Sequence, residues 1–209
     1  MDGVMSLVSL RTARPFAGKA ALAVERAHTL GGIYTRNGGR VRVGRVIAGD
    51  GAGQIYFGVA FDDGKSMGQI FEKVQADPSF VKLTEEAELD PAASVSGPEV
   101  YRFLYGQPGP SHPINLYREY TMSREKVADA LALIPELDAL LKDHDIRLTI
   151  TVPVFSSDMA RFIANYRYRS PAHLGEAIDG VLASAEFQAI VNRAAALGSL
   201  TRSRVVNFM

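Results

Sequence analysis

The predicted order of strands and helices occurs twice along this chain of 209 residues, and this repetition restricts the fold more than any other feature. A shift of 107 residues, without a gap, places residues 41–43 over residues 148–150 and residues 55–61 over residues 162–168. Within residues 40–83 only five positions are identical in the two halves, so the argument rests on element order and on the matching phase of apolar residues. Each half is predicted to run strand, helix, strand, strand, helix, strand.

In the second half, apolar residues recur at three- and four-residue steps over residues 127–141, which predicts an amphipathic helix. Pro135 lies inside this stripe and predicts a kink in one helix rather than two separate helices. Residues 147–155 alternate between apolar and polar, which predicts a strand. Residues 161–169 are predicted to return as its partner after a short turn.

The first half follows the same plan, with a helix over residues 20–36 and a hairpin over residues 40–47 and 54–61. The glycine-rich residues 49–53 join the two hairpin strands. A phosphate-binding loop would instead follow a strand and open a helix, so we interpret this segment as a tight turn.

A segment rich in glycine and proline, residues 106–113, separates the two halves. We therefore predict a first unit over residues 1–105, a linker over residues 106–113 and a second unit over residues 114–209.

One βαββαβ unit forms a four-stranded antiparallel sheet with both helices on one face, the ferredoxin-like arrangement. The other face would be exposed in a lone unit, although several large side chains are predicted to lie on it. These residues are Tyr56, Tyr101, Phe103, Tyr105 and Ile163. Because burial of apolar surface stabilises a fold, we expect an α+β protein whose two antiparallel sheets pack into an α/β barrel with the helices outside.

Each half also contains a segment at which a helix restarts, Asp77-Pro78-Ser79-Phe80 in the first and Ser184-Ala185-Glu186-Phe187 in the second. With these segments and the element order, the chain resembles the dimeric α/β-barrel superfamily over nearly its whole length, in a tandem form with both halves on one polypeptide. That superfamily includes antibiotic-biosynthesis-type monooxygenases and the EthD-like and NIPSNAP-like families. The resemblance implies a small-molecule site, cofactor-independent monooxygenase or isomerase chemistry on an aromatic or carbonyl compound, and a homodimer. It rests on no catalytic motif, and a fold does not define a function.

Charge and composition exclude several other classes of function. The 23 basic residues balance the 23 acidic ones, and each half is neutral as well, which argues against nucleic acid or an anionic membrane as a partner. The chain has no cysteine, which removes disulfides, thiolate nucleophiles and cysteine-ligated zinc. The four histidines have no metal-binding spacing, so we predict neither a metal nor another cofactor.

The remaining sequence signals predict a protein without a membrane segment. An acidic residue at position 2 argues against a signal peptide, and there is no uncharged apolar stretch of about 18 residues. We therefore expect a cytoplasmic protein. An RNA-recognition motif has the same order of strands and helices and also contains an aromatic strand. The strand over residues 54–61 lacks the basic residue and glycine with which that strand begins, which again disfavours RNA binding.

His28 is the candidate catalytic residue. It lies on the first predicted helix, on its inner or flanking side, and its counterpart in the repeat is Pro135, so the two halves differ at this point. A histidine there could act as an acid or base, and the alternative is a partly buried structural histidine.

The strand over residues 161–169 contains the other candidates for a ligand site. Tyr166 and Tyr168 are expected on the helix side, and Asn165 and Arg167 on the opposite face.

Arg118, on a neighbouring strand, is expected to face the same way as Asn165 and Arg167, whereas Glu119 is expected on the other face. If this side of the sheet meets the other half, these polar groups become buried donors that need an acceptor. An acidic or carbonyl-bearing ligand, an acid of the first half, or plain exposure could each satisfy them.

Two functions follow as hypotheses. The preferred one is a small-molecule-binding barrel with a monooxygenase-like or isomerase-like activity, whose ligand is a small aromatic or carboxylate compound. Its pocket would draw on His28, Tyr34, Tyr166 and Tyr168 between helices and sheet, or on Arg118, Asn165 and Arg167 from the other sheet face. The alternative is a non-enzymatic assembly or stress-associated interaction module.

Overall fold

Eight strands and seven α-helices occur in the part of the chain that the structure, a computed structural model, describes, namely residues 6–209. The strands are β1 (Leu7–Pro15), β2 (Arg40–Gly49), β3 (Ile55–Phe61), β4 (Ala93–Tyr105), β5 (Ile114–Met122), β6 (Arg147–Phe155), β7 (Arg161–Tyr168) and β8 (Gly198–Phe208). The helices are α1 (Ala20–Arg36), α2 (Gly64–Ala76), α3 (Pro78–Leu89), α4 (Val127–Ala132), α5 (Ile134–Lys142), α6 (Pro171–Asp179) and α7 (Ala185–Ala195). The acidic residue at position 2, used above against a signal peptide, lies outside the described residues.

The eight strands close into one antiparallel barrel in the order β1-β3-β2-β8-β5-β7-β6-β4. Each half of the chain provides four neighbouring strands, β4-β1-β3-β2 and β8-β5-β7-β6, and the order within the two sets is the same. The sets join at β2–β8, where Gly44 lies opposite Phe208, and at β4–β6, where Val100 lies opposite Phe155. The predicted α+β fold, with two ferredoxin-like units whose sheets form a barrel, is confirmed.

Side-chain alternation gives each strand one face towards the helices and one towards the barrel interior. Two large apolar cores lie between the helices and the barrel, one in each half. A smaller cluster lies inside the barrel and comprises Val46, Tyr56, Val206 and Phe208. The helix-facing residues of β7 are Phe162, Ala164, Tyr166 and Tyr168, and the interior receives Ile163, Asn165 and Arg167.

The turn over residues 49–53 joins β2 to β3, as its sequence predicts. Gly49, Gly51 and Gly53 all have φ between 75° and 88°, a backbone conformation that favours glycine. A Cβ atom at Gly49 would also lie 2.3 Å from the carbonyl oxygen of Ser203, so this turn requires glycine for space as well.

The expected single, kinked helix over residues 127–142 is instead two helices, α4 and α5, separated by Leu133. Pro135 lies in the first turn of α5, where it has no N–H to donate to the preceding turn. The ladder of helical hydrogen bonds is interrupted there, although Leu133 keeps right-handed helical dihedral angles.

The expectation that Tyr105 lies on the inner sheet face was wrong. The register of β4 against β6 shifts between Phe103 and Tyr105, and this irregularity turns Tyr105 to the helix side. Its hydroxyl donates there to the carboxylate of Asp138 at 2.6 Å.

Residues 106–113 contain no helix or strand and connect β4 to β5. The limits of the two units on either side of this connection stay a prediction. Across residues 6–209, the structure contains no helix whose length and hydropathy would allow it to span a membrane.

Candidate functional site

One end of the barrel interior encloses a cavity of about 250 Å³ between strands of both halves. Its apolar wall includes Val8, Leu10, Phe103, Ile163 and Phe208. Its polar wall includes Arg42, Tyr56, Asn115, Tyr117, Asn165 and Arg167. Residues 108–110, from the connection between β4 and β5, border the cavity.

Arg167 enters this cavity from β7, because it alternates with the helix-facing Tyr166 and Tyr168. Its side chain is buried and donates from Nη1 to the carbonyl oxygen of Gly109 at 3.2 Å, while its Nε is buried without a hydrogen-bond partner. Burial, and then the neighbouring charge of Arg42, lowers the pKa of Arg167 to about 10. The group is therefore still a cation at neutral pH, held in a place that disfavours its charge.

Arg42 enters the same cavity from β2. Its guanidinium carbon lies 4.0 Å from the centre of the Phe208 ring, a cation–π contact. Burial lowers the pKa of Arg42 below its usual range, and the side chain still remains protonated at neutral pH.

No carboxylate of residues 6–209 lies within ion-pair distance of either Arg42 or Arg167. A third arginine at the border, Arg40, is paired with Asp62 at 2.9 Å. Because the lining contains no acid among the described residues, the cavity has an excess of two positive charges.

Two buried asparagines lie beside the arginines. Asn165 donates from Nδ2 to Oδ1 of Asn115 at 3.0 Å, and Asn115 donates from Nδ2 to the carbonyl oxygen of His112 at 3.0 Å. Oδ1 of Asn165 is buried and has no donor. The wall of the cavity thus contains an acceptor without a donor as well as two cations without a carboxylate partner among the described residues.

Two neighbouring tyrosines form part of the cavity wall. The ring centres of Tyr56 and Tyr117 are 5.1 Å apart, and both side chains line the wall. Burial raises the pKa of Tyr117 to about 12, against the opposing effect of Arg42 and Arg167, and burial also raises the pKa of Tyr56. Both hydroxyls are therefore neutral at physiological pH and can donate hydrogen bonds, but they are poor bases.

The space itself arises from a difference between the halves. The shift of 107 residues places Gly58 and Ala60 of β3 over Asn165 and Arg167 of β7. All four residues line the cavity, the first-half pair with almost no side chain and the second-half pair with long polar ones. Because Gly58 and Ala60 fill so little space, room for a ligand remains beside the polar side chains of Asn165 and Arg167.

The other end of the barrel interior contains a second cavity, of about 870 Å³, and three of the five arginines in its lining are paired with carboxylates. Arg161 pairs with Glu99 at 2.7 Å, and Tyr101 donates to the same carboxylate at 2.5 Å. Burial disfavours the ionised form of Glu99, but hydrogen bonds from Ser157 and Tyr101, together with the charge of Arg161, hold its pKa at about 2.

Glu119 lies at this second end and corrects one sequence expectation. It accepts from Nη2 of Arg204 at 2.7 Å and lies 3.5 Å from Nε of Arg161, inside the barrel. The prediction placed it on the opposite face, which was wrong because β5 pairs with β7 so that Glu119 is opposite the inward-facing Ile163.

The same register explains a correction at Arg118. It lies opposite Ala164, which faces the helices, and not opposite Asn165, so the expected common face of Arg118 with Asn165 and Arg167 was wrong. Its guanidinium carbon lies 5.6 Å from the centre of the Tyr166 ring. Arg118 and Tyr166 therefore come together with Tyr168 on the helix side, in a packed core.

His28 and Tyr34 lie apart from the charged cavity and from the helix-side cluster of Arg118, Tyr166 and Tyr168. His28 is exposed on α1, whereas the sequence placed it on the inner or flanking side of that helix. Tyr34 is a buried residue of α1, and its hydroxyl lies 3.4 Å from both terminal nitrogens of Arg11. Of the seven predicted site residues, only Asn165 and Arg167 reach the charged cavity.

Sequence reasoning missed Arg42, Asn115 and Tyr117 as members of this site. A signal for Arg42 was present, since it lies between Val41 and Val43, which pack against the helix-side core. Strict alternation along β2 would have placed its side chain inside the barrel.

This arrangement can bind an anion more readily than it can move a proton. Among the described residues the cavity lining contains no aspartate, glutamate or histidine, so no general base is available. No group of three such side chains within residues 6–209 is placed to hold a metal ion. The two guanidinium groups, by contrast, have the geometry and charge that bind carboxylates.

Several solved structures share this architecture. An anthrone oxidase-like protein matches with a TM-score of 0.66 and 13% identity, over 98% of this chain and 92% of that one. A candidate monooxygenase from Fusobacterium nucleatum matches with a TM-score of 0.65 and 7% identity, over 100% of this chain and 94% of that one. Chlorite dismutase from Candidatus Nitrospira defluvii matches with a TM-score of 0.55 and 10% identity, over 99% and 91% of the two chains.

The chain therefore shares its overall fold with these proteins. At such low identities the likeness shows the fold alone. No protein-family profile and no curated protein sequence matches the chain.

Proposed function

We propose that this protein binds a small aromatic carboxylate in the interior cavity of its barrel. The observation that supports this most directly is the pair Arg42 and Arg167, two guanidinium groups turned into one cavity without a carboxylate partner among the described residues. Removing charges from water without a partner is unfavourable, and a bound anion would offset that cost for both arginines.

The size and wall of the cavity support a single-ring compound. A volume of about 250 Å³ exceeds the roughly 150 Å³ of an apolar cavity that accommodates benzene. Phe103 and Phe208 contribute aromatic surface to the wall, and the hydroxyls of Tyr56 and Tyr117 offer further donors to polar substituents of the ring.

Binding is favoured over acid–base catalysis because the described lining lacks a group that could accept a proton. The monooxygenase-like or isomerase-like activity expected from the family resemblance would therefore need a substrate that enters already ionised. In that case the arginines and the tyrosine hydroxyls would stabilise the anion. The monooxygenase and oxidase descriptions of the similar structures agree with this narrower activity but do not extend it to this chain.

The charged interior cavity favours ligand binding over the alternative function, a non-enzymatic assembly module. An assembly module would need an apolar contact surface, whereas it would have no use for two inward-facing arginines without a carboxylate partner. The expected homodimer is compatible with either function and is tested by the mass of the protein in solution.

Calorimetry and thermal shift with benzoate test the proposal. We expect benzoate to bind and to raise the unfolding temperature, and the uncharged benzamide of similar shape to do neither. Replacing Arg42 by methionine should weaken benzoate binding at least about tenfold, since a hydrogen bond to a charged group is worth about 1.5–3 kcal/mol. Arg45→Met on the same strand is the matched control, because Arg45 is exposed and outside the lining.

Equal responses to benzoate and benzamide, or an Arg42→Met protein that binds benzoate as the wild type does, would contradict the proposal.

A further inference from the structure

Oδ1 of Asn165 gives information about the ligand that the arginines do not. The side chain is 8% exposed and lines the charged cavity, and its carbonyl oxygen has no donor. Buried acceptors are nearly always satisfied in folded proteins, so a buried acceptor that lines a binding cavity points to a donor on the ligand.

The orientation of this amide is fixed by its neighbours. Asn115 must direct its Nδ2 to the carbonyl oxygen of His112, because a carbonyl can only accept. Its Oδ1 is then left to face Asn165, which must in turn present its own Nδ2. The amide oxygen of Asn165 is therefore the atom left without a donor, in a residue that lines the cavity.

The position of Asn165 relative to the arginines restricts where that donor lies on the ligand. Asn165 and Arg167 are two residues apart on β7 and face the same side, which separates their backbone positions by about 6–7 Å. A carboxylate held by Arg167 and a donor held by Asn165 would thus lie on different sides of one aromatic ring.

We infer that the ligand is a hydroxylated aromatic carboxylate, whose ring hydroxyl, placed away from the carboxylate, donates to Oδ1 of Asn165. This inference rests on the proposed function and specifies its substrate class. Asn165 is then the residue that selects the hydroxylated compound, while Arg42 and Arg167 bind the carboxylate that all such compounds share.

A ligand series tests this on the intact protein. Dissociation constants are measured by calorimetry for benzoate, 3- and 4-hydroxybenzoate, and 4-methoxybenzoate, which cannot donate. We expect 3- or 4-hydroxybenzoate to bind at least about tenfold more tightly than benzoate, and 4-methoxybenzoate to gain nothing. 2-Hydroxybenzoate, whose hydroxyl is bonded to its own carboxylate, should bind as benzoate does.

The variant Asn165→Leu should bind benzoate and the hydroxybenzoates with equal affinity, which assigns the selectivity to this side chain. Because the substitution also removes a donor from Asn115, the ligand series on the wild-type protein decides the matter if the variant is unstable.

Two failures are distinguishable. If benzoate and all hydroxybenzoates bind equally and Arg42→Met weakens them all, the inference is overturned and the proposed function stands. If none of these compounds binds to the wild-type protein, both are overturned.

Discussion

Replacing Arg167 by methionine should make the folded protein more stable while it removes the ligand site. Methionine is also long and unbranched, so it can follow the path of the arginine side chain without its charge. Arg167 is 6% exposed and has no carboxylate partner among the described residues. Its positive charge therefore destabilises the folded state, and a bound anion would offset this destabilisation.

The size of this destabilisation follows from the lowered pKa of Arg167. A pKa lowered from its ordinary value to about 10 corresponds to about 3 kcal/mol against the charged form in the folded protein, since one pKa unit is worth about 1.4 kcal/mol. The lost hydrogen bond to the carbonyl oxygen of Gly109 opposes this by about 1.5 kcal/mol. We expect a net gain of about 1–2 kcal/mol in the free energy of unfolding, or about 2–8 °C in the unfolding temperature.

The effect of pH has a definite sign. The pKa of this cation is lower in the folded state than in the unfolded state, so the penalty is fully present below pH 10 and is relieved only as the pH rises above that value. The stability difference between the Arg167→Met variant and the wild type should therefore be constant between about pH 6 and pH 9.

Arg204→Met is the matched control. Arg204 is also 6% exposed inside the barrel, but it is paired with Glu119 at 2.7 Å. Removing it leaves a buried carboxylate with only the more distant Arg161, and we expect a loss of about 3 kcal/mol. Urea unfolding of the three proteins without ligand measures both changes. A loss of stability in Arg167→Met similar to that in Arg204→Met would contradict this expectation, because it would mean that the fold itself stabilises the Arg167 charge.

Three further predictions concern other parts of the barrel. Ala60→Leu adds three carbons to the cavity wall and should abolish benzoate binding in calorimetry with little change in the unfolding temperature; undiminished binding would place the ligand elsewhere. The pKa of Glu99 is held at about 2, so its stabilising effect should be lost as the pH falls from about 4 towards 2. Urea midpoints over this range should fall less steeply in Glu99→Gln, and parallel curves would contradict this. Gly44→Ala places a Cβ 2.7 Å from the carbonyl oxygen of Asn207 where the two sheets join, and should cost about 1–3 kcal/mol in the free energy of unfolding. Gly68→Ala in α2, with no neighbouring atom within 4 Å, should instead be neutral or stabilising, and equal losses in the two variants would count against the argument.

The sequence was sufficient for the architecture because that depends on local periodicity. The helix over residues 20–36 and the strands β6 and β7 were predicted from neighbouring residues, and the structure confirms these elements. The predicted faces of Tyr166, Tyr168, Asn165 and Arg167 also agree with the structure, since two-residue alternation is strict along an unbroken strand.

The candidate site was predicted only in part because its members come from strands that are distant in sequence. Arg42 of β2 and Arg167 of β7 approach each other only when the barrel closes. His28 was chosen because the halves differ at its position, but a difference between halves does not reveal whether a helix position faces solvent. The errors at Arg118 and Glu119 have one cause, the unknown register of β5 against β7.

The order of the elements and the alternation within unbroken strands such as β7 thus follow from local sequence, and they imply two sheets that must cover one another. Which inner residues share a cavity depends on the folded barrel, because strand register and β-bulges are set by hydrogen bonds between segments far apart in the chain. Through that register Glu119 compensates Arg204 at one end of the barrel, while Arg42 and Arg167 at the other end are left for an anion.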